Sequence, residues 1–138
     1  MNLLFPNTWT DYELIDSGDF EKLERFGKYF IIRPEPQAVC DKKLSDAEWA
    51  KTTHVKFISK SSSSGIWQKN KTMPDQWIIN YKTSQLNLNF RLGLTSFKHV
   101  GIFPEQSVNW EYIATTLKNM QVEKPKVLNL FAYTGSAS

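Results

Sequence analysis

The chain has 138 residues and a mass of 16.0 kDa, enough for one domain, or for one small domain and part of another. At 41% apolar and 22% charged residues it has the composition of a globular protein and is not intrinsically disordered. The net charge of +3 is too small to point to a nucleic-acid partner by itself. No apolar run approaches the ~20 residues of a membrane span, and Met1–Trp9 lacks the basic and apolar regions of a signal peptide. The single cysteine, Cys40, excludes an intramolecular disulfide framework and a cysteine-rich zinc site, so a reducing, cytoplasmic address is expected.

Charge is divided along the chain. Residues 1–41 carry eight acids against four bases, and residues 42–138 carry six acids against thirteen bases. Between Lys51 and Lys82 stand six lysines and one acid, Asp75, with Trp67, Trp77 and Tyr81 among them. Lysines interleaved with rings suit a phosphate backbone and exposed bases, while the plainer reading is a solvated lysine face over a core. The aromatic content is high, with five Trp, five Tyr and nine Phe, and supplies ample area for that core.

In chain order, Tyr12–Asp16 is predicted as a short strand closed by Ser17-Gly18-Asp19. Phe20, Leu23 and Phe26 lie three apart, which predicts one or two helical turns. Tyr29–Arg33 reads as a strand ended by Pro34 and Pro36. Ser45-Asp46-Ala47-Glu48 opens a short helix, with Ser45 as N-cap and Glu48 at the capping-box position. His54–Ser59 is a strand, Ser61–Ser64 a turn leading to another strand, and Trp77–Tyr81 a further strand. Leu86, Leu88, Phe90 and Leu92 alternate with Asn87, Asn89 and Arg91, the pattern of a half-buried strand that pairs with the previous one across 82–85.

The character changes after Leu92. Gly93–Pro104 is a connecting segment, and Ser107–Asn119 is predicted as a helix, with Trp110, Ile113, Leu117 and Met120 at helical spacing. Lys126–Phe131 is an apolar run of the kind found in a buried parallel strand, followed by the small residues Ala132–Ser138. A buried strand leading into a small-residue loop is how a nucleotide-binding α/β domain begins, although Gly135 is the only glycine in this loop.

The string Val-Leu-Asn-Leu-Phe-Ala-Tyr-Thr-Gly at 127–135 resembles the first motif of a subgroup of class I S-adenosylmethionine (SAM)-dependent methyltransferases that includes large-subunit ribosomal RNA methyltransferases. Phe97-Lys98-His99-Val100-Gly101-Ile102-Phe103-Pro104-Glu105-Gln106, with Asn109-Trp110 after it, resembles the segment just before the catalytic domain in one branch of that subgroup. Ser107 stands where many members carry arginine. The resemblance implies an α+β chain: a small, mainly antiparallel β domain over 1–95, then over 96–138 a linker, a helix and the first strand of a Rossmann-type methyltransferase domain. It implies SAM as cofactor, held by Asn129, Phe131, Ala132, Tyr133, Thr134, Gly135 and Ser136, with Phe103 and Gln106 over or beside the pocket and His99 near it.

The resemblance further implies RNA, in the first instance ribosomal RNA, as substrate, and this chain as the N-terminal portion of the enzyme, inactive when isolated. Neither the target base nor a catalytic residue follows from it, and Cys40 lies outside any catalytic motif. The alternatives are an RNA-binding β module without catalysis, or a partner-binding fragment that dimerises through exposed strand edges. Hydrolase and kinase readings lack their motifs: there is no G-x-S-x-G, no G-x-x-x-x-G-K-[ST] and no H-E-x-x-H.

Overall fold

A computed structural model describes residues 9–61, 64–120, 122–130 and 135. The first hairpin joins β1 (Tyr12–Gly18) to β2 (Glu21–Phe26) through a two-residue turn in which Asp19 and Phe20 both have positive φ, 51° and 61°. A two-residue hairpin loop of this twist requires the left-handed region at both positions. The segment predicted as helical over Phe20–Phe26 is therefore a strand. Its three-residue apolar spacing arises because β2 is buried on both faces: Leu23 faces one hydrophobic cluster and Phe26 the other.

β3 (Tyr29–Pro34) pairs antiparallel with β2, and Pro34 ends it as expected. The chain then crosses to α1 (Asp46–Thr52). Here Ser45 Oγ accepts from the Glu48 N–H, and the Glu48 carboxylate accepts from the Ser45 N–H, so the predicted capping box is formed. The crossover lets β4 (Val55–Ser59) pair parallel with β3, and β5 (Gly65–Lys69) returns antiparallel to β4. The result is a five-stranded sheet in sequential order.

The predicted second hairpin is a separate two-stranded sheet of β6 (Gln76–Lys82) and β7 (Asn87–Gly93). A short 3-10 turn at Pro104–Gln106 leads into α2 (Ser107–Asn119). The architecture is α+β with mostly antiparallel strands.

Both faces of the five-stranded sheet are covered. On one, Trp49 of α1 packs on Leu23 and Ile32. On the other, Phe26, Tyr29, Ile31 and Val55 meet Trp77, Ile79, Tyr81 and Leu92 of the hairpin. Trp9, Val100, Ile102 and Trp110 complete that larger core. The core thus runs past residue 95, and the 96–110 segment packs with the β region rather than standing apart from it.

A bulge at Ile15 fixes where α1 docks. The register shifts between Leu14 and Asp16, bringing Asp16 opposite Leu23 and onto the helix-covered face. There the buried Asp16 carboxylate accepts from the Trp49 indole at 2.9 Å and from the backbone N–H groups of Lys43, Leu44 and Ser17. Burial works to raise its pKa, but these donors outweigh it and hold the carboxyl below the usual aspartate value.

Residues 126–130, expected to begin a buried parallel strand, form no strand, and Val127, Leu128 and Leu130 are exposed. A parallel strand needs neighbours to take its N–H and C=O groups, and among the described residues no strand lies beside it.

Two outcomes follow. Phe20→Gly raises stability by about 1 kcal/mol in urea unfolding, because glycine adopts the left-handed turn without strain and the Phe20 ring is largely exposed. Asp16→Ala lowers stability by about 3 kcal/mol, because it strands a buried indole N–H and several backbone donors.

Candidate functional site

The segment after β7 is held at both ends. Gly93 N–H donates to Val100 O, and Val100 and Ile102 are buried plugs on either side of Gly101, whose φ is +108°. This leaves Lys98, His99 and Phe103 facing a small cleft against the end of the β2–β3 hairpin, where Lys22, Arg33 and Glu35 complete the wall.

Behind the cleft lies a buried ion pair. Arg33 donates from Nε to Glu24 Oε2 at 2.8 Å and from Nη2 to Glu24 Oε1 at 2.9 Å. Tyr12 Oη donates to the same carboxylate at 3.0 Å, and burial beside Glu24 pushes the Tyr12 pKa far up, so it stays protonated. Arg33 uses its remaining arm, Nη1, on the Lys98 carbonyl at 3.3 Å. One guanidinium thus ties the sheet interior to the cleft-lining segment.

His99 and Phe103 lie with ring centroids 5.1 Å apart and planes tilted by 56°. Burial lowers the His99 pKa, and Arg33, Lys98 and Lys22 lower it further, against the opposing influence of Glu105. The ring is therefore neutral near pH 7 and senses a positive local field. Glu35 pairs with Lys22 at 3.3 Å. Burial works to raise the Glu35 pKa, but the Gln37 N–H and the neighbouring Lys22 and Lys98 bring it below the ordinary glutamate value.

The expected cofactor residues divide into three groups. Phe103 is in the cleft. Gln106 is exposed one 3-10 turn further on, outside the cleft wall, where its Oε1 accepts from Asn109 Nδ2 at 2.8 Å. Asn129 is half-buried, and Gly135 lies in a turn with φ +79° and no described residue within 4 Å of where a Cβ would project. Phe131, Ala132, Tyr133, Thr134 and Ser136 lie outside the described residues.

Three of the six lysines in the 51–82 stretch are engaged within the fold. Lys56 pairs with Glu21, Lys69 with Asp75, and Lys71 donates to the carbonyls of Lys51 and Thr52 near the end of α1. Trp77 and Tyr81 are buried, while Trp67 packs edge-on against Phe57 and donates to Thr95 O. The rings that made the pattern suggestive are therefore committed to packing and hydrogen bonding. Sequence reasoning missed Lys22 and Glu24, whose string Glu-Lys-Leu-Glu-Arg at 21–25 reads as an ordinary charged surface, and Arg33, which reads as the end of an apolar strand.

A solved structure of a SAM-dependent methyltransferase from Agrobacterium tumefaciens matches 99% of this chain at 34% identity with a TM-score of 0.82. The chain resembles the N-terminal part of a SAM-dependent methyltransferase. The ribosomal RNA large subunit methyltransferase K/L of Shewanella frigidimarina (strain NCIMB 400) is 26% identical over 152 aligned positions, covering 94% of this chain. No family model matches. The chain spans 42% of the solved methyltransferase and 20% of the Shewanella protein.

Among the described residues no group of histidine, cysteine and carboxylate side chains could hold a metal ion, and no helix is long and apolar enough to cross a membrane.

Two further outcomes are expected. Arg33→Met lowers stability by about 3 kcal/mol by leaving Glu24 buried without its two guanidinium hydrogen bonds, with only Lys22 at 3.6 Å and the Tyr12 hydroxyl beside it, and adding Glu24→Leu restores much of the loss. Urea midpoints fall below pH 6.5, because both histidines have lowered folded pKa values. Their contribution is fully present above the unfolded value of about 6.5 and is lost as the pH falls through the folded values. Part of this resides in His54, whose Nδ1 accepts from the Phe30 N–H at 3.2 Å and must be unprotonated to do so. His54→Gln flattens that part of the profile.

Proposed function

We propose that this chain is the N-terminal portion of a SAM-dependent methyltransferase acting on RNA, in the first instance ribosomal RNA, and that it does not turn over when isolated. The observation that carries the reading is the match at 34% identity over nearly the whole chain with a TM-score of 0.82. The similarity to a ribosomal RNA large subunit methyltransferase supports the substrate class.

The residues suit the cofactor where they are described. Gly135 adopts a backbone shape that admits close approach of a ligand, and Phe103 would stand at the border of the cofactor pocket, where its cleft begins. Asn129, the 131–134 run and Ser136 would line the same pocket, with Gln106 beside it. Bound SAM would supply a sulfonium methyl for transfer to a nucleophilic base atom. The contribution of these residues would be to hold cofactor and base in line.

Exposure of Val127, Leu128 and Leu130 supports the reading, because that apolar run becomes favourable only when further strands cover it. The sheet edges at β1 and β5 are compatible with a homodimer, which sedimentation at increasing concentration would detect.

The test of the reading is the coding sequence downstream of Ser138. It is expected to run on into a helix, an acid about 20 residues past the loop, and several βα units. A stop codon directly after Ser138 would overturn the enzyme reading for this chain.

A further inference from the structure

The cleft that carries Phe103 also gathers cations from elements far apart in the chain. Lys22 comes from β2, Arg33 from β3, and Lys98 from the segment after β7. We propose that this cleft is a phosphodiester subsite for single-stranded RNA, with a phosphate between Lys22 and Lys98 and the adjoining base against His99 and Phe103. The proposal rests on the RNA-substrate reading above and adds where the strand is gripped.

The cations differ in how firmly they are engaged. Arg33 is fixed by the buried Glu24, so it contributes positive potential and holds the Lys98 carbonyl in place. The hydrogen bond described for Lys98 Nζ is a long 3.5 Å contact to Pro34 O, which a phosphate oxygen can readily replace. Lys22 stands between two carboxylates, the buried Glu24 at 3.6 Å and Glu35 at 3.3 Å, and the partly exposed pair with Glu35 is worth little. A phosphate can therefore take the place of Glu35 at Lys22 at small cost, with Lys22 remaining beside Glu24. Glu105, exposed at the rim, is the one lining acid that opposes the anion without a described ion pair.

The rings supply the second half of the site. A cationic track beside aromatic faces is the physical requirement for holding an unpaired strand, since phosphate contacts position it and stacking holds the base. His99 and Phe103 are half-buried and mutually tilted. Burial, reinforced by the neighbouring Arg33, Lys98 and Lys22, keeps the His99 ring neutral, so it can stack on a base without adding a proton to the site. The lysine-rich 51–82 stretch has no comparable arrangement, because Trp77 and Tyr81 are in the core and Trp67 is packed on Phe57.

The test is fluorescence anisotropy of the full 138-residue chain with a labelled short oligouridylate, across a salt series. Lys98→Gln is expected to weaken binding about three- to ten-fold and to make the slope of log affinity against log salt shallower by about 0.7. Phe103→Ala is expected to weaken binding about five-fold or more with the slope unchanged. Lys82→Ala, on the exposed end of β6 outside the cleft, leaves both nearly unchanged.

Thermal melts by circular dichroism confirm that each variant is folded, and Lys22→Gln provides a second cationic position if one fails. Equal weakening by Lys98→Gln and Lys82→Ala overturns the subsite while leaving RNA as the substrate class. Absence of any RNA binding by the unaltered chain overturns both. Competition by inorganic phosphate as strong as that by the oligonucleotide assigns the cleft to free phosphate and overturns the RNA subsite.

Discussion

The buried pair between Glu24 and Arg33 is the constraint on which the arrangement depends. An arginine almost wholly removed from water requires a partner, and Glu24 is the fully buried carboxylate that meets it through two hydrogen bonds. The two residues sit diagonally across the β2–β3 ladder, since Glu24 is opposite Ile31 and Arg33 opposite Lys22. A one-residue slip would send one of them to the α1-covered face, where Leu23, Ile32 and Trp49 are packed. The pair therefore fixes the register of the hairpin. Through the Lys98 carbonyl it also fixes the segment that lines the cleft.

Two anchors act around that centre. Asp16 draws α1 onto one face of the sheet through the Trp49 indole, and the bulge before it is what turns the carboxylate to that side. On the opposite face the second hairpin closes over Tyr29, Ile31 and Val55, with Trp9, Tyr81 and Trp110 packed edge to face. Tyr81 also reaches Glu111 of α2 at 3.1 Å, joining the helix to the hairpin. The cleft thus lies where the sheet, the plugged 97–103 segment and the 3-10 turn before α2 meet.

Much of this was legible in the residues. The capping box at Ser45 and Glu48 located α1, strict alternation located β7, and helical spacing located α2 with its ends at Ser107 and Asn119. β2 was misread because a strand buried on both faces loses its two-residue period, leaving Phe20, Leu23 and Phe26 to imitate a helix. The run at 126–130 has the composition of a buried strand, but pairing depends on neighbours that no local pattern supplies. Of the cleft, Phe103 and His99 were reached through the motif they belong to. Lys22 and Arg33 were not, because they lie more than sixty residues away and only the fold brings them to Lys98.

The most direct test of the account is transfer of a labelled methyl group from SAM to large-subunit ribosomal RNA, run with the complete product of the gene beside the 138-residue chain alone. The account predicts label in the RNA with the complete product and none with this chain by itself. Absence of transfer by the complete product, or turnover by the 138 residues alone, would contradict it.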